Sequence, residues 1–335
     1  MKLLSSSQIN LLAVAFSQGD ELLAAWPQFR ETMAEDNISG ADYLLLPLIS
    51  HNLEANQIQD SLVDFLKGTS RYIWCRNQVF KQEITKILLL LKQRQIQPVL
   101  IGIGGLSLAL YSSDKLMKLR DFLFIVPPSQ LKTLKQACLE ANFPVQPSLD
   151  DNNGNSCPSL FTVITPENIE VSFTSAIQLG ENAQLTITDL HPLQTSTCLF
   201  NGIELPVLNE TYQALYLLSS LNSVMPKNFI DWLANLSTLL NASFESIDWE
   251  IIESYLSDNQ MIYPLKQILP YLKKLPPSPG LAYFIDLTQT RRLSQEQRID
   301  YFLSVQVRQV SPRLSGKLKY WYNRYAQPWL PLQKI

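Results

Sequence analysis

The residues best suited to chemistry lie within positions 98–126, PVLIGIGGLSLALYSSDKLMKLRDFLFIV. A short apolar run leads into Gly104 and Gly105, Ser107 follows, and Asp121 directly precedes a second apolar run. A strand that turns through glycines into a helix presents free N–H groups and a helix dipole to an anion such as a triphosphate. A carboxylate on the next strand can hold Mg²⁺. The segment therefore predicts a phosphate and metal site. The alternative is that the glycines only allow the backbone to make a tight buried turn and bind no ligand.

The order of these residues resembles a known family signature. Residues 104–108, GGLSL, and residues 120–126, RDFLFIV, are similar to the G-[GS]-x-[AS]-L and D-x-D-L-L-V motifs of DNA polymerase beta-like nucleotidyltransferases. More narrowly, they resemble a bacterial family of uncharacterised nucleotidyltransferases, and the likeness spans residues 10–275. The resemblance implies an α+β fold in which helices flank a small mixed sheet, with an NTP as ligand and Mg²⁺ as cofactor.

The resemblance also assigns roles to individual residues. In that family, two carboxylates two residues apart point to one face of a strand and hold two Mg²⁺ ions. Asp121 matches the first position, whereas Leu123 occupies the second. Glu170 matches an acidic residue on a neighbouring strand, and Ser172 stands where the family has a histidine. The resemblance thus predicts Asp121 and Glu170 as catalytic and metal-binding residues.

The same resemblance assigns nucleotide binding to Gly104, Gly105 and Ser107.

Two carboxylates balance only half of the charge of two Mg²⁺ ions, and an apolar neighbour raises the desolvation cost of any ion there. We therefore expect a depleted two-metal site in a nucleotide-binding or scaffold pseudoenzyme. The alternative is an active nucleotidyltransferase that moves an NMP group from an NTP to a small-molecule or protein acceptor.

The acidic candidates also have simpler interpretations. Asp121 can be a residue at the start of a strand that pairs with Arg120 or Lys118. Glu170 can be a solvent-facing residue on an edge strand. These interpretations and the metal-binding one remain open from the residues alone.

Charge gives a further functional hypothesis. The chain has 27 Lys and Arg against 30 Asp and Glu, and this net charge of −3 excludes a case for nucleic-acid binding by the whole protein. Residues 286–335, however, have nine Lys and Arg against three acidic residues. Their aromatic side chains include Trp321, Tyr325 and Trp329 at intervals of four, typical of a helix that docks on a domain. The alternative is that this segment binds RNA or an anionic membrane surface.

Other site classes have little support. The histidines and cysteines are His51, His191, Cys75, Cys138, Cys157 and Cys198. No two cysteines have the spacing of a zinc site or a redox pair, so we expect free thiols in a reducing, cytoplasmic compartment. No apolar run reaches the roughly 18 residues that cross a bilayer, and we expect no transmembrane segment. The N-terminus lacks a signal-peptide cleavage pattern.

The periodicity of apolar residues divides the chain into four parts. The predicted parts are a helical block at 1–94, a nucleotidyltransferase-like core at 95–208, a second helical block at 209–285 and a basic, aromatic-rich segment at 286–335. Turn signals within the first block, including Gly68-Thr69-Ser70, predict four or five helices. In the second block, helical periodicity predicts helices at 210–222, 226–242, 246–257 and 260–274, with Ser246 or Asp248 as a helix cap.

Within the core, apolar runs at 98–103 and 122–126 predict buried strands. A helix is expected at 128–141 and a polar loop at 146–157. LFTVI and IEVSF predict a hairpin, as do TCLF and IELPVL, which Asn201-Gly202 joins.

Overall fold

The structure is a computed structural model, and it describes eleven stretches or single residues of the chain. These are 4–34, 42–111, 113, 115–120, 122–147, 161–179, 184–186, 194–221, 228–258, 261–291 and 298. Cys157, His191 and the aromatic residues predicted to dock from the C-terminal segment lie outside them. The interpretations of those residues stay predictions.

The N-terminal block is helical, as predicted. Its helices are α1 (Ser6–Phe16), α2 (Gly19–Ala34), α3 (Leu46–Ala55) and α4 (Ser61–Gln93), with a 3-10 turn at Asp42–Leu44. Ser5 caps α1 through a capping box with Gln8, and the Asp60 carboxylate caps α4. The predicted break at 68–70 is wrong, because α4 continues through it. The hydroxyls of Thr69 and Ser70 donate hydrogen bonds to backbone carbonyls one turn earlier. The packing of the rest of the helix outweighs the helix-propensity cost of Gly68.

The middle of the chain forms a mixed sheet. Its elements are β1 (Val99–Ile101), α5 (Gly102–Leu110), β2 (Phe122–Ile125), α6 (Pro128–Glu140), β3 (Val145–Pro147), β4 (Phe161–Ile164), β5 (Glu170–Thr174), β6 (Ala176–Gln178), β7 (Gln184–Thr186), β8 (Thr195–Phe200) and β9 (Ile203–Leu208). The seven-stranded sheet has the order β3-β4-β5-β2-β1-β9-β8, and β6 and β7 form a separate pair. Within it, β1 is antiparallel to β2, and β2 is parallel to β5. The described chain is therefore α+β, as the sequence predicts.

The predicted strands and hairpins are confirmed with small differences in their ends. Both hairpins, β4-β5 and β8-β9, are antiparallel. Asn201 and Gly202 have φ values of 51° and 79°, the backbone that the predicted hairpin turn requires. Two element ends differ from the prediction. Helix α5 begins at Gly102, before the glycine pair, and the first residues of the expected polar loop at 146–157 belong to β3. Gly102 permits the early start because its φ is +72°, a left-handed value that glycine adopts without strain.

The described residues of the C-terminal block contain the four predicted helices and a fifth helix that runs across the predicted boundary at 285/286. They are α7 (Glu210–Ser219), α8 (Phe229–Ser243), α9 (Trp249–Asp258), α10 (Ile262–Leu272) and α11 (Pro279–Thr290). Asp248 caps α9, as predicted, by accepting from the N–H groups of Glu250 and Ile251. Ser278 caps α11, and Pro279 fits its first turn, where no N–H is needed.

Helices cover both faces of the sheet. On one face, the C-terminal half of α4 and helix α6 pack on Leu100, Phe124 and Phe173. The other face, with Val99 and Ile125, belongs to a larger apolar cluster that also includes α1, α3, α7 and α8. Both helical blocks therefore share one core around the sheet. No helix in the described ranges combines the length and apolar character needed to span a membrane.

Candidate functional site

The strand register brings two of the predicted metal-site positions, Leu123 and Glu170, onto one face of the sheet. Leu123 of β2 lies directly beside Ser172 of β5, and Ile101 of β1 lies opposite Leu123. Because side chains alternate along a strand, Glu170 points to the same face as Ser172. Asp121 falls outside the described residues, so its role as a metal ligand stays a prediction.

Glu170 is an exposed residue at the start of β5. Its neighbour across the sheet is Ile164 of β4. The alternative interpretation of Glu170 as a solvent-facing residue agrees with its exposure, but its expected place on an edge strand is wrong. Strand β5 is interior to the sheet, between β4 and β2. Its carboxylate is therefore accessible at the end of an interior strand.

The described neighbours of Glu170 offer few oxygen ligands. The Ser172 hydroxyl lies 2.9 Å from the Thr162 hydroxyl, so the two form a hydrogen bond. Leu123 is half-buried and packs against the large apolar cluster. No group of three or more His, Cys, Asp or Glu side chains in the described part of the chain could hold a metal ion. The described residues alone therefore do not supply the several carboxylate oxygens that a two-Mg²⁺ site needs.

The glycine turn at the start of α5 is filled by helix α7. A Cβ built on Gly102 would lie 3.2 Å from the Tyr216 hydroxyl oxygen. The Gln213 amide nitrogen donates to the Leu208 carbonyl at 2.6 Å, while its buried Oε1 has no hydrogen-bond partner. The space bounded by Gly102, Gly105, Gln213 and Tyr216 has no volume for a water molecule. In this conformation a phosphate group does not fit into the space beside Gly102 and Gly105 unless Tyr216 moves.

The predicted phosphate-binding glycines pack closely against the sheet. A Cβ on Gly104 would lie 2.8 Å from a ring carbon of Phe122, and one on Gly105 would lie 2.9 Å from the Leu100 carbonyl oxygen. Both glycines thus let α5 approach β1 and β2. This packing explains why glycine stands at both positions, and their binding of phosphate stays a prediction.

Ser107 faces a different part of the structure. It is 2% exposed and its hydroxyl has no hydrogen-bond partner. With Ile103, one turn before it, and Tyr111, one turn after it, Ser107 borders a small cavity beside Arg120 and Asp231. A buried hydroxyl without a partner carries a desolvation cost. The role of Ser107 in nucleotide binding stays a prediction.

Asp231, which sequence reasoning did not select, is the one carboxylate among the described residues that line this cavity. It forms an ion pair with Arg120, and their side chains are 15% and 22% exposed. Nearby, the Tyr111 hydroxyl lies 3.2 Å from that of Thr238. Burial raises the pKa of Tyr111 above its usual value, and the Asp231 charge adds to the increase. The ion pair connects the segment before β2 to α8. Its only signal in the sequence is the acidic residue in the first turn of α8.

Comparison with known proteins adds one weak structural likeness. No protein-family model matches the chain, and no curated protein matches it. The solved structure of the lincosamide antibiotic adenylyltransferase LnuA, bound to lincomycin, is similar over 47% of this chain and 96% of LnuA. The identity is 12% and the TM-score is 0.36. These values are too low to support an argument about function.

Proposed function

We propose that this chain is a nucleotidyltransferase-like pseudoenzyme whose core serves binding or scaffolding without two-metal transfer chemistry. The observation that carries the proposal is the register of β2 and β5. It sets Leu123 beside Ser172 on the face to which Glu170 points. In the family that the sequence resembles, this face needs paired carboxylates.

Charge and solvation support the loss of transfer chemistry. Two Mg²⁺ ions bring four positive charges, and Glu170 supplies one negative charge at this face. Leu123 offers no ligand and displaces water that would otherwise solvate an ion. The Ser172 hydroxyl already bonds with Thr162. Even with Asp121 as a second ligand, the carboxylate set is smaller than a two-metal site requires.

Nucleotide binding at the glycine turn requires the α7 side chains that fill it to move. Tyr216 and Gln213 occupy the place where phosphates would meet the start of α5. Nucleotide binding at the turn therefore competes with the Tyr216 hydroxyl. A Tyr216→Phe variant keeps the ring and removes this hydroxyl, and we expect it to bind NTPs at least as tightly as the parent protein.

The direct test combines binding and transfer measurements. Calorimetric titration with ATP, GTP, CTP and UTP is done with and without Mg²⁺, and transfer is followed with α-labelled NTPs. We expect no NMP transfer, and any binding should be independent of Mg²⁺ and unchanged in Glu170→Gln. Glu167→Gln, in the exposed turn before β5, is the matched control. Mg²⁺-dependent transfer that Glu170→Gln abolishes and Glu167→Gln preserves would instead establish the active nucleotidyltransferase.

A gain-of-function variant tests the geometry. Leu123→Asp restores a carboxylate on the face of Glu170, so we expect measurable Mg²⁺ binding that the parent lacks. Leu123→Asn, which has the same shape without the charge, controls for the polar substitution. Circular dichroism establishes that both variants are folded. A folded Leu123→Asp protein that binds Mg²⁺ no better than Leu123→Asn contradicts the proposed site.

A further inference from the structure

A groove on the N-terminal half of α4 lies outside the nucleotidyltransferase-like site. It runs between α4, the 3-10 turn at Asp42–Leu44 and the segment before β2, and its volume is about 620 Å³. The residues that matter for its chemistry are Tyr43, Phe65, Gly68, Tyr72, Arg76 and Lys118. A volume of this size is in the range of small-molecule sites, roughly 300–1,000 Å³.

Three aromatic side chains line the groove and remain exposed to solvent. Tyr43 is 46% exposed, Phe65 is 54% exposed and Tyr72 is 61% exposed. Phe65 and Tyr72 are seven residues apart and so lie on the same side of α4, two turns apart. Single exposed apolar residues are ordinary, whereas several around one concave surface mark a binding site.

Two cationic side chains line the same groove. Arg76 follows Tyr72 by one turn on α4, and Lys118 approaches from the segment before β2. Neither side chain forms an ion pair with any residue in the described ranges, and the groove lining found there includes no Asp or Glu. The groove therefore presents two cations beside three aromatic rings.

Gly68 supplies an independent observation. It lies in the interior of α4, where glycine weakens a helix, and no atom lies within 4 Å of a Cβ built on it. Packing therefore does not require glycine there, unlike at Gly104 and Gly105. The missing side chain leaves the groove open at the level between Phe65 and Tyr72.

We propose that this groove binds a small anionic aromatic molecule. Its ring would pack on Phe65 and Tyr72, and its carboxylate, sulfonate or phosphate group would be held by Arg76 and Lys118. Arginine suits this task because its planar guanidinium bonds oxyanions through two N–H groups and also stacks on rings. The site is independent of the glycine turn and needs no metal ion.

The probe for the test is anilinonaphthalene sulfonate, a fluorescent molecule with an aromatic body and one anionic group. Uncharged phenylnaphthylamine shares its ring system and reports apolar binding alone. We expect the sulfonate to bind the folded, full-length protein with saturable fluorescence, and Arg76→Gln and Lys118→Gln each to weaken its binding about tenfold. Neither substitution should change the binding of phenylnaphthylamine, because only the anionic contact is lost.

Matched variants locate the site. Arg71→Gln is the control for Arg76→Gln, because Arg71 is also an exposed arginine of α4 without an ion pair in the described chain, and it lines a separate cavity. It should have little effect. Gly68→Leu should block both probes while thermal unfolding shows an intact protein. Glu170→Gln should leave both titrations unchanged, which separates this site from the proposed function.

Two results would overturn the proposal. One is sulfonate binding that Arg76→Gln and Arg71→Gln weaken equally, since this would reflect general surface charge. The other is binding that survives Gly68→Leu in a folded protein, which would place the probe elsewhere on the chain.

Discussion

The side-chain oxygen of Asn77 accepts a hydrogen bond from the backbone N–H of Leu119 at 3.0 Å. Its amide nitrogen donates to the Met117 carbonyl at 2.7 Å, and Asn77 itself is 1% exposed. The side chain of one residue in the middle of α4 thereby satisfies two backbone groups of the segment that leads into β2, as a neighbouring strand would. The same contact fixes Lys118 at the groove on α4.

Replacing Asn77 is expected to destabilise the protein through this segment. Asn77→Ala leaves a buried N–H and a buried carbonyl without these partners, and the expected loss is about 2–4 kcal/mol in the free energy of unfolding. Urea unfolding followed by circular dichroism measures it. Gln82→Ala, at an exposed position on the same helix, is the control and should change stability by less than about 0.5 kcal/mol. Equal losses in the two variants would show that the Asn77 bonds do not stabilise the fold.

Three of the four glycines in α4 and α5 are expected to respond differently to alanine. Gly104→Ala and Gly105→Ala force a Cβ within 2.8–2.9 Å of Phe122 and Leu100, so each should lose about 1–3 kcal/mol of stability. Gly68→Ala meets no atom within 4 Å and should gain up to about 1 kcal/mol from helix propensity. Thermal and urea unfolding compare the three variants. A stable Gly104→Ala protein would show that α5 does not pack on β2 as described.

The ion pair between Arg120 and Asp231 should stabilise the contact between β2 and α8. Because both side chains are mostly but not fully buried, removing one partner is expected to cost about 1–3 kcal/mol. Arg120→Met and Asp231→Leu, alone and combined, form a double-mutant cycle measured by urea unfolding. We expect the double variant to lose less stability than the two single losses together. Strict additivity would mean that the two charges act independently.

Thiol reactivity provides a test based on pKa. Burial raises the pKa of Cys138 and of Cys198 to about 11, from an ordinary value near 9. At pH 8 these thiols stay almost fully protonated, so in a Cys157→Ser background we expect Ellman's reagent to label only exposed Cys75 rapidly. A further Cys75→Ser substitution should remove this fast phase. Its persistence would contradict the burial of Cys138 or Cys198.

The same shifts predict how stability depends on alkaline pH. The folded state keeps both thiols protonated above the pH at which they ionise in the unfolded chain. The unfolded state therefore binds fewer protons between about pH 9 and pH 11, and stability falls as pH rises through this window. Urea midpoints measured across the window test this, with Cys138→Ala as the variant that should show a shallower decline.

Local chemistry made several elements predictable. The turn at Asn201-Gly202 follows from two residues that tolerate positive φ, and the cap at Asp248 from a carboxylate that accepts backbone N–H groups. The turn residues TPEN between LFTVI and IEVSF similarly predicted the β4-β5 hairpin. Each of these signals acts over a few residues, so the surrounding fold does not need to be known.

The parts that were missed depend on residues far apart in the chain. Local turn residues predicted a break at Gly68, but the packing of a 33-residue helix kept α4 continuous. Likewise, the glycine turn looks open in the sequence, and only the placement of α7 brings Tyr216 onto Gly102. No local pattern links residues that are over a hundred positions apart.

The sequence alone determined the α+β class, the strand and helix types and the apolar Leu123 in the family's second carboxylate position. The tertiary structure decided which faces meet: Leu123 beside Ser172, Arg120 against Asp231, and aromatic rings beside Arg76 and Lys118 in one groove. The physical reason is that hydrogen-bonding preferences and periodicity are properties of neighbouring residues. Burial and charge pairing arise only when distant segments exclude water together.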